Sequence, residues 1–291
     1  MARIGSKAVL VLVAVLALAA NASAASPDVA AMNLQEADVP GARLVNQNAL
    51  TVPGYLAAHV RSFVFTAPNS GSRLIELDSA TALAASSAKV AADVAGAEKP
   101  LRSKASRKAV VAALAKGAKV KLKAVSFGQP HSVAGFDQGF EIAISLPVKG
   151  KRLYENLVNL RLDRVRVEML EVSSHPIGAA TTRKYAALIA AHIGTELAPI
   201  AVTPPTVAGP AQQGQTLTAT TGSWTATDAA ATYQWQRCDS AGANCVDVAG
   251  ATAVTYAVTP ADVGATLHVL EKATNRFGTA TAPSAPTSVV S

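Results

Sequence analysis

The chain has 291 residues and a mass of 29.6 kDa, and it is 50% hydrophobic, 15% charged and 4% aromatic. This low charge, with a mean hydropathy of +0.26, excludes a chain disordered along most of its length. Two cysteines exclude a disulfide-dense scaffold, a four-cysteine zinc site and a cysteine-ligated iron–sulfur cluster.

Residues 1–24 read as a signal peptide. Arg3 and Lys7 precede an unbroken apolar run from Ala8 to Ala20, and Ala22-Ser23-Ala24 offers the small-x-small pattern of a cleavage site. The run is too short for a hydrocarbon core of ~30 Å, which takes about 20 residues. Cleavage is expected after Ala24, with no transmembrane span in what remains. The remainder is unevenly charged. From Val202 onward three basic residues face five acidic ones, whereas residues 25–201 hold 21 basic and 14 acidic. The contrast supports two domains.

Residues 25–198 alternate between helical and strand patterns. A short helical stretch is expected near Met32 to Ala37, ahead of Pro40-Gly41. His59 to Thr66 reads as a strand and Arg73 to Glu76 as another. Ser79 is expected to cap an Ala-rich helix running to about Val94. Ser103 or Ser106 is expected to cap a second helix that Gly117 ends. Lys119 to Val125 alternates lysine with apolar residues, the period of a half-buried strand. Gly139 to Val148, Leu153 to Leu162 and Arg164 to Val172 supply three more strands, with Asp163 at a hairpin turn. Thr182 to Leu197 sets Tyr185, Leu188, Ile189, His192 and Ile193 along one helical stripe. Together these predict an α+β domain, an antiparallel sheet with packed helices. The order of elements from Phe140 to Ala198 resembles small exported actinobacterial domains of PsbP-like fold, among them lipoproteins and sensor domains of receptor kinases. That resemblance implies a sensor or binding role.

Residues 199–206, with Pro199, Pro204 and Pro205, read as a short semi-rigid linker. Beyond it, residues 207–291 show strand and turn patterns only. Gly214-Gln215-Thr216-Leu217, Gly222-Ser223-Trp224, Tyr233-Gln234-Trp235-Gln236-Arg237-Cys238, Asp262-Val263-Gly264 and Asn275-Arg276-Phe277-Gly278 follow one another. Their order resembles the bacterial Ig-like domains of exported actinobacterial surface proteins and implies an all-β Ig-like sandwich with Trp235 in its core. Cys238 and Cys245 flank a turn-rich loop and are expected to form a disulfide. A redox or metal pair is disfavoured, because the spacing is not C-x-x-C and no histidine is near in sequence.

The five histidines show no metal-site spacing. His192 is expected to be a satisfied core residue and His268 to face solvent. Neither a cofactor nor a catalytic centre is indicated, and no carboxylate dyad stands out. Ser86-Ser87-Ala88-Lys89 fits the S-x-x-K pattern of penicillin-recognising enzymes, but its companion elements are absent. From Lys99 to Lys123 nine basic residues occur with no acid among them. Within this run Lys116, Lys119, Lys121 and Lys123 are the candidate contacts for an anionic partner, whether envelope polymer, lipid surface or acidic protein. The competing reading is a solvated helix face plus an edge strand guarded by lysines. Nucleic acid is disfavoured, since no aromatic side chains accompany the lysines. The sequence thus predicts an exported, non-enzymatic protein of the cell envelope or medium. Its alternatives are a carrier of a small apolar ligand and a serine hydrolase using Ser86.

Overall fold

A computed structural model describes residues 27–65, 74–117, 125–148, 150–226 and 228–291, without the side chains of residues 110, 111, 113–117 and 148. The expected signal peptide and its cleavage site lie outside the described residues, as does all of the expected strand Lys119 to Val125 except Val125 itself. The chain divides into two compact units, Asp28–Ile193 and Gly194–Ser291.

The first unit is built on one antiparallel sheet of seven strands. These are β1 (Ala42–Leu50), β2 (Tyr55–Phe65), β3 (Leu74–Ala84), β4 (Ser126–Phe127), β5 (Gln138–Val148), β6 (Lys151–Leu162) and β7 (Val165–Ser173). Their order is β1-β2-β3-β7-β6-β5-β4, so two meanders join where β3 pairs with β7. Tight turns allow this. Asp163 takes a positive φ of 52° between β6 and β7, where a short polar side chain tolerates the left-handed region.

Three helices accompany the strands among the described residues: α1 (Ser87–Arg102), α2 (Lys104–Gly117) and α3 (Ala179–Leu197). Val90, Val94 and Leu101 of α1 join Phe140, Ile142, Ile144 and Leu146 of β5 in one apolar cluster. The opposite face of the sheet meets α3, through Thr182, and the segment before β1. Met32 and Leu34 of that segment are wholly buried, and Asn33 donates to the carbonyls of His59 and Ser79.

The expected α+β domain, a sheet with packed helices, is corrected by this structure. Strands make up 45% of the described residues and helix 20%, so they are mostly β, with several antiparallel sheets. The main misreading is at Ser79. Leu77, Ser79, Thr81 and Leu83 are buried at every second position, so Leu74–Ala84 is one 11-residue strand instead of a short strand and a helix. Alanine's helix propensity loses there to burial between β2 and β7. The helix begins only at Ser87, and Ser86 caps it. The helical stretch expected near Met32 is a single 3₁₀ turn, Glu36–Asp38.

Among the described residues the second unit contains three small antiparallel sheets. The strands are β8 (Ala201–Thr203), β9 (Thr206–Ala208), β10 (Thr216–Thr220), β11 (Ser223–Trp224), β12 (Ala230–Cys238), β13 (Val246–Asp247), β14 (Thr255–Ala257), β15 (Thr266–Asn275) and β16 (Gly278–Pro283). They pair as β14-β10-β9, β13-β12-β15-β16 and β11-β8. Leu217 and Ala219 of β10, Tyr256 of β14, Trp235 of β12 and Leu267 and Val269 of β15 share one core with Val258 and Val290. Trp235 is fully buried, stacks on Tyr256 at 5.4 Å and donates its indole N–H to the Ala253 carbonyl. No helix among the described residues is long and apolar enough to cross a membrane.

Candidate functional site

The basic run is placed only in part. Lys99 and Arg102 end α1, and Lys104, Arg107, Lys108 and Lys116 lie in α2. Lys119, Lys121 and Lys123 fall outside the described residues. Two of the run's cations have structural work. Arg102 pairs with Glu98 one helical turn earlier, at 2.6 Å. Arg107 donates to the carbonyls of Leu101 and Arg102, where α1 ends without hydrogen-bond partners of its own. Lys99, Lys104 and Lys108 remain exposed.

The S-x-x-K pattern has a local explanation. Ser86 Oγ accepts from the Lys89 amide as an N-cap, and the Lys89 ammonium meets Asp93 one turn on. Tyr55 donates to the same Asp93 carboxylate at 2.7 Å, and Lys89 lies over the Tyr55 ring. Burial, then the Asp93 carboxylate, pushes the Tyr55 hydroxyl well above its ordinary range. Burial would raise Asp93 as well, but hydrogen bonds from Lys89 and Tyr55 hold it below the usual carboxylate range. This triangle locks β2 to α1.

Pairing β3 with β7 and β7 with β6 creates what the sequence did not reveal, a buried polar band across the sheet's centre. Cross-strand register aligns Asn156 of β6 with Glu171 of β7, and Thr182 of α3 reaches the same carboxylate. Glu171 is fully buried. Its Oε2 accepts from Thr182 Oγ1 at 2.8 Å and from Asn156 Nδ2 at 3.2 Å, and its Oε1 has no hydrogen-bond partner among the described residues. Burial pushes its carboxyl up to about 7, against the lowering effect of those two donors. On the opposite face, Glu155 and Glu76 flank Val172 in register. Burial, and then the neighbouring Glu76 charge, pushes Glu155 up to about 6. Burial likewise raises Glu76 and Asp78. His59, by contrast, is lowered by burial and then by Arg61.

His192 has a partner, its Nε2 lying 2.8 Å from Asp38, but its side chain is part-exposed and not in the core as expected. A cleft of about 180 Å³ opens between Ser132, Val133, Ala134, Glu141 and the start of α3 at Ala179 and Arg183. Glu141 and Arg183 make its lining charged, which does not suit a small apolar ligand.

In the second unit Cys238 and Cys245 form a disulfide. His268 does not face open solvent as expected. It is half-buried, and one of its ring nitrogens lies within 4.8 Å of both sulfurs. The missed signal is cross-strand pairing: His268 lies opposite Gln236, two residues before Cys238, although 23 positions separate it from Cys245 in the chain. Two other acids here serve the fold. Glu271 accepts from the Trp224 indole and the Gly222 amide, and Asp262 accepts from Arg237, Tyr256 and Thr259.

No family model matches the chain, and no curated protein does. Among solved structures, the extracellular domain of PknH from Mycobacterium tuberculosis is similar at a TM-score of 0.38 and 10% identity, over 59% of this chain and 99% of that one.

Proposed function

We propose that this chain is an exported, non-enzymatic protein of the cell envelope or the surrounding medium. Its N-terminal unit binds or senses a partner, and its C-terminal unit is an Ig-like spacer or adhesion module. The observation that carries export is the Cys238–Cys245 disulfide, because such a bond persists in oxidising compartments and is rare in a reducing cytosol. The basic start, apolar run and Ala22-Ser23-Ala24 pattern support the same reading from the other end of the chain. The Ig-like assignment is supported by Trp235, buried between a three-stranded and a four-stranded sheet. Bacterial expression of the whole chain, followed by fractionation and intact mass, tests export. The expected product begins at Ala25, lies outside the cytoplasm and carries no free thiol. An uncleaved, reduced, cytoplasmic product refutes it.

The binding partner proposed for the N-terminal unit is an anionic envelope polymer, held by the exposed lysines of α1 and α2 together with Lys116, Lys119, Lys121 and Lys123. Retention on such a polymer should fall as salt rises, since the Debye length shrinks from about 10 Å at 0.1 M to about 3 Å at 1 M. Reversing Lys119, Lys121 and Lys123 to Glu should abolish retention. Unchanged retention refutes the assignment.

A further inference from the structure

We infer that the Cys238–Cys245 hairpin is a redox-gated metal site, in which the reduced cysteines and His268 bind one d10 cation such as Zn2+. Three ligand atoms converge here, two sulfurs and one imidazole nitrogen, all within 4.8 Å of one another. Tetrahedral zinc with Zn–S near 2.3 Å and Zn–N near 2.0–2.1 Å holds its ligand atoms about 3.5–3.8 Å apart. Opening the S–S bond frees both cysteine side chains to rotate, and that rotation is the movement by which the sulfurs would take up this spacing.

The surroundings suit a metal in two further ways. First, the imidazole is oriented from outside. His268 Nε2 meets Gln236 Oε1 at 2.6 Å, and the Gln236 amide nitrogen donates to Asp247 Oδ1 at 2.6 Å. An amide oxygen fixes the proton on Nε2, so Nδ1 carries the lone pair and is the nitrogen the metal would take. Metal-binding histidines are held by this kind of second contact. Second, the loop between the cysteines is folded by bonds that do not involve sulfur. Asp239 accepts from the amides of Ala241 and Ala243 and from the Asn244 side chain, and its own carbonyl accepts from Gly242 N and Thr266 Oγ1. Both cysteines therefore stay beside His268 when the disulfide opens. These bonds also occupy the Asp239 carboxylate, which leaves water as the fourth ligand.

The chemistry balances with a dithiol as reductant. Two thiols of the dithiol become its disulfide, while Cys238 and Cys245 each gain one electron and one proton. Binding Zn2+ then releases the two thiol protons and leaves two thiolate–metal bonds. In the reverse direction a disulfide oxidant takes the two electrons and two protons and leaves as two thiols, the Cys238–Cys245 bond re-forms and Zn2+ is released, so the site responds to the thiol–disulfide balance around it.

The full chain, reduced with dithiothreitol and desalted without oxygen, is titrated with Co2+ as the spectroscopic probe and then with Zn2+. The expected result is one equivalent of Co2+ bound with thiolate-to-metal charge-transfer and tetrahedral d–d absorption, displaced by Zn2+, and no such absorption from the oxidised chain. His268→Gln keeps a partner for Gln236 but removes the imidazole, and should weaken binding at least tenfold with an unchanged tryptophan fluorescence spectrum. Three results would each overturn the inference. They are no thiolate–cobalt absorption in the reduced chain, equal affinity in His268→Gln, and loss of the native tryptophan fluorescence on reduction alone.

Discussion

Glu171 offers the sharpest test of the physical reasoning. Its carboxyl is fully buried and its Oε1 has no hydrogen-bond partner among the described residues, so burial raises its folded pKa to about 7 from an ordinary value near 4.5. A raised acid binds its proton more tightly when folded. The stabilisation is complete below the unfolded value and is lost as pH climbs through about 7. One proton of difference gives a slope near 1.4 kcal/mol per pH unit, so the whole window corresponds to about 3 kcal/mol. Glu155, raised to about 6, acts in the same direction over a narrower range. His59 acts oppositely. Its folded pKa is lowered, so its contribution is present above about 6.5 and is lost as pH falls below that.

Glu171→Gln separates these effects, because the amide does not titrate while Glu155 and His59 remain. Urea unfolding at pH 4.5 to 7.5, followed by the helical far-UV CD signal, reports mainly on the first unit. Trp224 and Trp235, the chain's two tryptophans, both lie in the second unit and provide an internal control. The amide leaves an unpaired N–H₂ where Oε1 had no partner, a cost of about 1–3 kcal/mol at every pH. The informative quantity is therefore the slope. Subtracting the variant's profile from that of the parent should leave a fall of about 3 kcal/mol between pH 4.5 and 7, with no change in the fluorescence transition. Parallel profiles would refute the argument that the carboxyl titrates in place.

Asp262→Asn should lower the second unit's stability by about 2–3 kcal/mol, because it removes the charge that Arg237, Tyr256 and Thr259 address, and tryptophan-detected unfolding measures it. Ser86→Ala should cost the first unit about 1 kcal/mol through loss of the α1 cap, and a serine-directed probe should label parent and variant alike at background level. Cys238→Ser with Cys245→Ser should lower the second unit's midpoint by an amount equivalent to roughly 2–3 kcal/mol, as expected for opening a short loop.

How much of this was legible in the sequence depended on whether the signal was local. Gly139 to Val172 could be read as strands because each residue's neighbours two positions away share its face, and Asp163 marked its turn. β1 carried no such signal. Most of Ala42–Leu50 is exposed on both faces at a sheet edge, so no alternation was imposed on it. Ser79 misled for the opposite reason. Alanine-rich sequence favours a helix locally, and only the strands on either side, β2 and β7, make it a strand.

Both sites of chemical interest arise from register, which a single sequence does not display. Glu171 is an ordinary glutamate in R-V-R-V-E-M-L-E-V until Asn156 and Thr182, 15 and 11 residues away, are brought to it. Glu168, three residues earlier in the same strand, stays partly exposed and pairs with Arg166. The two glutamates differ only in which face of β7 they occupy, since an odd separation along a strand reverses the side chain's direction. The same rule places His268 beside the disulfide. It lies opposite Gln236, and Gln236 and Cys238 share a face because they are two residues apart. A shift of one residue between β12 and β15 would send His268 to the core, put Leu267 or Val269 beside the sulfurs and remove the nitrogen ligand. Trp235 makes that shift prohibitive. It is packed against Leu267 and Val269 on the inner face, so the pressure that fills the core also fixes the position of the imidazole outside it.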